Sequence, residues 1–227
     1  MYHLNKNLTL LILTGIFSLN SLSDGRDIFQ EASPGIVYIV TNTGSASGVI
    51  ISNQGHILTN WHAINGANQQ DVEAVLHYSY DFDEPKDHFF NIEIVSINKS
   101  KDLALLKIIN PPSYLKVISI SRVIPATGSE AHAIGHPNGE FWTYTKGYIS
   151  QYRVGYEWQY DEDGIEHTAN VYQMQTPIAE GSSGGPLLNK YGNLIGINTF
   201  GSKEIQHLNF AVDATEIIKF LAINEKN

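Results

Sequence analysis

The dipeptide Pro111-Pro112 divides this chain into two halves of similar pattern. Two adjacent prolines continue neither a helix nor a central strand, because proline lacks a backbone N–H and has a fixed φ. On both sides, short runs of β-branched and aromatic residues alternate with turn residues. We therefore predict an all-β chain of two packed six-stranded antiparallel β-barrels, barrel 1 at about 30–112 and barrel 2 at about 113–212.

Short strand-like runs account for most of both halves. The runs of the first half are 36–40, 49–51, 57–59, 72–76, 92–97 and 103–109, with an exposed loop predicted at 78–90. Those of the second half are 114–120, 130–134, 143–152, 154–158, 171–175, 194–199 and 208–212. The last element differs, because Asp213 and Glu216 form a helix-capping pair ahead of apolar residues at helical spacing. We predict a C-terminal α-helix at about 213–223.

The N-terminus has the pattern of a secretory signal. Lys6 precedes an apolar run at 8–19, and small residues follow near Ser23. The run has about twelve residues, whereas a spanning helix needs roughly 20. We predict a signal peptide at 1–23 and one domain at 24–227, with a short uncleaved anchor as the alternative. The chain has no cysteine, so neither a disulfide framework nor a lipidated cysteine is expected, which favours a bacterial exported protein.

Charge and histidine spacing restrict the partners and cofactors. Lys and Arg number 14 against 23 Asp and Glu, and the net charge of −9 repels phosphate backbones, so nucleic acid is not expected as a partner. His132 and His136 are four residues apart, but in a strand and turn that spacing does not place them on one face. We predict neither a metal nor a cofactor.

A group of aromatic residues in the second half has two interpretations. Alternation in a predicted hairpin favours packing between strands, and an exposed ridge that binds protein is the alternative. The group consists of Tyr152, Tyr156, Trp158 and Tyr160.

Ser183 is a candidate nucleophile, because it lies in the glycine-rich segment 181–185. Glycines let backbone N–H groups converge on one point, and a serine needs both such donors and a base to attack a carbonyl. His62 follows the end of a predicted strand and is a candidate base. Asp102 lies at the start of an apolar strand and is a candidate to orient that base. Ser182 is the rival hydroxyl.

Taken together, these segments resemble the chymotrypsin-like serine peptidases, most closely the bacterial HtrA-type proteases. The similar segments are 47–52, 55–64, 102–108, 133–139, 181–187 and 195–199. The resemblance implies the chymotrypsin-like double barrel and a catalytic triad of His62, Asp102 and Ser183. It implies an oxyanion hole formed by the N–H groups of Gly181 and Ser183.

Two departures from the family pattern affect regulation. Ser182 stands where animal digestive members carry an aspartate that pairs with a freed N-terminus, so activation by that route is not expected. The chain ends soon after the predicted helix at 213–223, so we expect no PDZ domain in it.

The register of the family also places the substrate pocket. Its walls are expected to be Pro177, Ile178, Ala179, Asn198, Thr199, Phe200 and Gly201. These residues carry no charge, and a buried basic side chain without a partner is costly. We predict a small or medium apolar residue before the scissile bond, and Glu180 as a solvated residue at the rim.

These observations predict a secreted or periplasmic serine endopeptidase that cuts proteins or peptides through an acyl-enzyme. The alternative is a protease-like chaperone or binding module that holds unfolded chains without cutting them. No stable membrane association is expected after signal cleavage, and the sequence carries no feature that defines an oligomeric state.

Overall fold

A computed structural model describes residues 24–67, 69–76, 89–160, 164–202, 205 and 207–224. Within these residues, twelve strands form two closed six-stranded antiparallel barrels, and a helix follows the second barrel. The predicted fold class is therefore confirmed. The predicted signal segment 1–23 and the tip of the predicted hairpin at 161–163 lie outside the described residues.

The first barrel closes in the order β1-β2-β3-β6-β5-β4. Its strands are β1 (Ile36–Thr41), β2 (Gly44–Ile50), β3 (His56–Thr59), β4 (Glu73–Leu76), β5 (Phe89–Asn98) and β6 (Leu103–Ile108). The β-branched and leucine side chains that predicted these strands fill the interior, as for Ile39, Ile57 and Leu106, which are fully buried. Residues 78–88 of the predicted loop 78–90 are outside the described part, and residues 89–90 begin β5.

The second barrel closes in the order β10-β11-β12-β9-β8-β7. Its strands are β7 (Glu130–Gly135), β8 (Thr143–Gln159), β9 (Glu166–Met174), β10 (Pro186–Leu188), β11 (Leu194–Gly201) and β12 (Asn209–Asp213). The two strands predicted at 143–152 and 154–158 are one strand of 17 residues. Register shifts against β9 let β8 continue through this region, and Gly155 lies at one of them with a φ of +59°.

The prediction of a strand at 114–120 is wrong, because this segment connects the barrels without joining either sheet. The N–H of Ile118 donates to the carbonyl of Ile50 in barrel 1, and the N–H of Leu194 in barrel 2 donates to the carbonyl of Ser119. Only an isolated bridge between Ile120 and Leu194 resembles strand pairing. Ile118 and Ile120 pack in the apolar cluster shared by the two barrels, whereas Leu115 and Val117 pack against the core of barrel 1. A local pattern does not distinguish these environments from that of a strand.

Two helices flank the barrels. The predicted C-terminal helix is α2 (Ala214–Asn224), and Asp213 accepts the N–H of Glu216 at 2.9 Å. The helix α1 (Gly25–Ala32) was not predicted; Asp24 caps it, and Ile28 is buried against the barrels. Among the described residues, no helix has the length and apolar character needed to span a membrane.

Candidate active site

His62 lies on a short 3₁₀ turn, His62–Ile64, that follows the end of β3. Trp61 is buried, and the preceding Asn60 donates from its side chain to the carbonyl of Asp102 at 3.0 Å. These contacts fix the backbone while leaving the imidazole 23% exposed. The backbone of His62 is therefore fixed, while part of its imidazole is exposed to a cleft.

Asp102 faces His62 from the turn before β6, where its backbone is left-handed with a φ of 53°. Aspartate is one of the few residues that tolerate this conformation. The Asp102 side chain is fully buried. It accepts the backbone N–H of His62 on Oδ1 at 2.9 Å and lies 2.8 Å from the ring Nδ1 of His62 through Oδ2.

Two hydroxyl groups complete the environment of this carboxylate. Thr199 Oγ1 donates to Asp102 Oδ2 at 2.5 Å, and the Tyr160 hydroxyl donates to the same oxygen at 3.1 Å. Burial alone would raise the pKa of Asp102. The charge of His62 and the hydrogen bonds from His62 and Thr199 outweigh it, so the pKa of Asp102 lies below its ordinary value. Asp102 is ionised at neutral pH.

Ser183 lies on the loop before β10, and its Oγ donates to the backbone carbonyl of Thr199 at 3.2 Å. A hydroxyl has one hydrogen, so this hydrogen is not directed at His62. The same Thr199 holds Asp102 through its side chain. The structure thus brings the three predicted catalytic residues around Thr199, with Ser183 turned to the Thr199 backbone.

The neighbouring Ser182 has its side chain engaged with the loop that precedes it. Its side chain is buried, and its Oγ accepts the N–H of Ala179 at 3.3 Å. Its own N–H donates to the carbonyl of Ala179 at 2.9 Å. The hydroxyl of Ser182, the alternative nucleophile, therefore stabilises its own loop.

The carbonyl groups around Gly181 are used as hydrogen-bond acceptors. The Glu180 carbonyl accepts the N–H of Asn138 at 2.7 Å, and the Ser183 carbonyl accepts the N–H of Ser47 at 2.8 Å. Since N–H and C=O point oppositely across a trans peptide, the Gly181 N–H points away from Asn138. Within the described part of the chain, neither the Gly181 N–H nor the Ser183 N–H donates to a protein acceptor.

Ser47 of β2 is the centre of a buried network that reaches Gly181. Its Oγ donates to the Gly181 carbonyl at 2.8 Å, accepts the backbone N–H of His136 at 3.1 Å, and lies 3.0 Å from His136 Nδ1. Because the single hydroxyl hydrogen goes to Gly181, His136 Nδ1 must carry a hydrogen and donate. The hydrogen-bonding pattern thus assigns the tautomer of His136. The same hydrogen bonds join the two barrels behind Gly181.

Four of the seven predicted pocket residues line one cavity of about 190 Å³: Pro177, Ile178, Ala179 and Asn198. Ser182 borders it, and its other walls include Ala133, Ile134 and Thr145. The other three predicted residues do not line it. Phe200 instead stacks on the predicted aromatic group, with ring centroids 5.1 Å from Trp158, and Thr199 contacts Asp102.

Three residues at this site were missed as functional candidates: Tyr160, Ser47 and His136. Tyr160 was assigned to the aromatic group, and His136 was considered only as a metal ligand. Their hydroxyl and imidazole groups are chemically suited to hydrogen-bond Asp102 or the Gly181 loop. None of the three residues is near its partner in sequence, so a local pattern could not pair them. Thr199 was predicted as a pocket wall and lies against Asp102 instead.

Comparison with known proteins places this geometry in a family. A chloroplastic Protease Do-like 1 of Arabidopsis thaliana is 34% identical over 188 residues, covering 76% of this chain and 40% of that protein. The periplasmic pH-dependent serine endoprotease DegQ of Escherichia coli is 35% identical over 158 residues, covering 69% of this chain and 31% of that protein. This chain thus spans less than half the length of these curated relatives.

A solved structure and a family model agree with this similarity. The serine endoprotease of Yersinia pestis superposes with a TM-score of 0.72 at 28% identity, covering 90% of this chain and 67% of that chain. The family model described as the trypsin-like peptidase domain matches residues 46–197, a range that includes His62, Asp102 and Ser183. The chain belongs to the family of trypsin-like peptidase domains, with relatives among the HtrA-type proteases.

Proposed function

We propose that this protein is a serine endopeptidase that hydrolyses peptide bonds through an acyl-enzyme on Ser183. The observation that carries the proposal is the pair of hydrogen bonds from His62 to the buried carboxylate of Asp102, at 2.8 and 2.9 Å. Thr199 links Ser183 to this pair, because its carbonyl accepts the Ser183 hydroxyl and its own hydroxyl donates to Asp102. Nucleophilic acyl transfer needs a buried carboxylate, a partly exposed imidazole and an adjacent hydroxyl.

The tautomer of His62 follows from the state of Asp102. An ionised carboxylate has no hydrogen to donate, so the hydrogen between the two side chains belongs to His62 Nδ1. His62 Nε2 then carries a lone pair on the open side of the ring. This is the tautomer that a general base requires.

The reaction begins with a rotation of Ser183 about its Cα–Cβ bond, from the Thr199 carbonyl towards His62 Nε2. Ser183 Oγ attacks the substrate carbonyl carbon and its proton passes to Nε2. The C–N bond then breaks and the same proton passes to the leaving amine. Water attacks the resulting ester, His62 takes the proton of that water, and Ser183 recovers it as the acid product leaves.

Negative charge develops on the substrate carbonyl oxygen in both steps. The N–H groups of Gly181 and Ser183 are our candidates to stabilise it, because neither is used within the described structure. Donors fixed in advance need no reorganisation during the reaction, and losing one typically lowers the rate by about 10² to 10³.

The substrate residue before the scissile bond is proposed to be small or apolar. The support is the cavity of about 190 Å³ beside Ser182, whose walls carry no charged side chain. Matched chromogenic peptides that differ only in Ala, Val, Lys or Glu at this position test it. Preference for Lys or Glu would contradict the proposal.

We further propose that the protein acts after export, in the periplasm or outside the cell. Support comes from the signal pattern at 1–23 and from the E. coli relative, which is named as a periplasmic endoprotease. Cell fractionation tests this, and retention of the uncleaved chain in the cytoplasm would contradict it.

Labelling with a fluorophosphonate probe tests the catalytic assignment. The folded protein should label at one site, and Ser183→Ala should abolish the signal. Ser52→Ala is the matched control, since Ser52 Oγ lies 2.7 Å from His56 Nδ1. Burial lowers the pKa of His56, and the cation of Lys107 lowers it further. Within the described residues no carboxylate is hydrogen-bonded to His56, so labelling should persist. Absence of labelling in the folded wild type would contradict the proposal.

Digestion of unfolded casein separates the enzyme from the alternative binding module. An endopeptidase yields new peptides that disappear in Ser183→Ala. Suppression of casein aggregation without new peptides would instead support a module that holds unfolded chains.

A further inference from the structure

Tyr160 reaches from the end of β8 across the barrel boundary to Asp102. Its hydroxyl oxygen lies 3.1 Å from Asp102 Oδ2, 3.1 Å from Thr199 Oγ1 and 3.4 Å from the Thr199 carbonyl. The single hydroxyl hydrogen thus has three acceptors in reach, of which the ionised carboxylate is the strongest. Its ring packs on His62, with centroids 4.7 Å apart.

Asp102 Oδ2 receives hydrogen bonds from three side chains. His62 Nδ1 lies at 2.8 Å, Thr199 Oγ1 at 2.5 Å and the Tyr160 hydroxyl at 3.1 Å. These donors share the negative charge of one oxygen, so each weakens the attraction that the others feel. Tyr160 therefore competes with His62 for the charge of Asp102.

The Tyr160 hydroxyl keeps its hydrogen at neutral pH. Burial, reinforced by the negative charge of Asp102, raises the pKa of Tyr160 well above its ordinary value. It is thus a constant donor rather than a titrating switch.

We propose that Tyr160 is a positioning residue that limits the strength of the hydrogen bond between His62 and Asp102, by drawing charge from Asp102 through its hydroxyl and by covering one face of the imidazole. The inference rests on the proposed function, because the hold of Asp102 on His62 matters to a reaction only if His62 moves protons. Removing the hydroxyl returns charge to Asp102 Oδ2. The hydrogen bond from His62 Nδ1 to this oxygen should then become stronger.

Three other ionisable side chains lie around Tyr160 and His62. His167 of β9 packs its ring 5.2 Å from that of Tyr160. Lys99 lies 5.1 Å above the Trp61 ring, and Lys101 donates to the carbonyl of Thr168. Tyr160→Phe keeps the ring that packs on His62 and removes only the hydroxyl, which lies against Asp102 and Thr199.

The first test is the ¹H NMR chemical shift of the His62 Nδ1 proton in the Ser183→Ala background, which needs no catalytic activity. Tyr160→Phe should move this resonance downfield, because the hydrogen bond from His62 Nδ1 to Asp102 Oδ2 strengthens once a competing donor is removed. Tyr156→Phe is the matched control, because the Tyr156 ring stacks on Phe210 at 4.9 Å. Its Nδ1 resonance should match that of the parent.

The second test is steady-state kinetics of the active protein on a peptide substrate. Tyr160→Phe should change kcat by about twofold to tenfold with little change in KM, whereas a residue that only packs would alter kcat in Tyr160→Ala and not in Tyr160→Phe. A His62 Nδ1 resonance unchanged in Tyr160→Phe would overturn the inference. Failure of the wild type to label with fluorophosphonate would overturn the proposed function instead, and the NMR measurement would still decide the role of Tyr160.

Discussion

The hydroxyl of Ser47 donates a hydrogen bond of 2.8 Å to the carbonyl of Gly181, although the two residues lie 134 positions apart and on different barrels. The backbone N–H of Ser47 donates at 2.8 Å to the carbonyl of Ser183. Ser47 therefore holds the carbonyls of the two residues whose N–H groups we propose as the oxyanion hole. This double attachment fixes the loop of Ser183 to barrel 1.

Ser47→Ala should lower kcat by about 10- to 100-fold with little change in KM, because the Gly181 carbonyl loses its side-chain donor and the loop of the proposed oxyanion hole is held less firmly, while the backbone hydrogen bond to the Ser183 carbonyl remains. Steady-state kinetics on a peptide substrate measure this split. His136→Asn keeps a donor near the position of Nδ1 and should retain more activity than His136→Leu. A kcat within twofold of wild type in Ser47→Ala would show that the loop needs no such attachment.

Gly181→Ala should reduce activity by at least about 10²-fold while the barrels remain folded. Gly181 has a φ of +90°, and an added Cβ would collide with the carbonyl of His136. Circular dichroism and peptidase activity together test this. Gly192→Ala is the control, since its φ of +73° imposes the same backbone strain in open space. Equal losses of activity in the two variants would contradict a local effect at Gly181.

Thr199→Val should lower kcat/KM by about tenfold, because it removes the 2.5 Å hydrogen bond to Asp102 without changing the side-chain shape much. The backbone acceptor for Ser183 is retained in this variant. Thr199→Ser keeps the hydroxyl and should preserve most of the activity. If the valine and serine variants behave alike, the hydroxyl has no role in the reaction.

Acid should destabilise the protein partly through Asp102. Its pKa is lower in the folded state than in the unfolded chain, so its contribution to the free energy of unfolding is complete above about pH 5. It is lost as the pH falls below 3.8, the ordinary value, towards the folded pKa. Urea unfolding of wild type and Asp102→Asn between pH 3 and 6 measures it. The variant should show a shallower dependence on pH, and identical slopes would contradict the assignment.

The fold was predictable because its signals are local. Strands such as β1 consist of β-branched and aromatic residues bounded by turns, and Asp213 and Glu216 mark the start of α2. The prediction of secondary structure failed where tertiary packing, and not local residue preference, decides the conformation of the chain. The segment 114–120 has an apolar strand-like composition, yet Ile118 contacts barrel 1 and Ser119 contacts barrel 2.

The candidate catalytic residues were also identified from the sequence, because base, carboxylate and hydroxyl are recognisable by chemical type and by their resemblance to a family. The sequence by itself determined the double barrel and the choice of His62, Asp102 and Ser183. Only the tertiary structure decided their surroundings. Tyr160 reaches Asp102 over 58 positions and Ser47 reaches Gly181 over 134. Such contacts arise from the packing of one barrel on the other, and no local pattern encodes which side chains meet there.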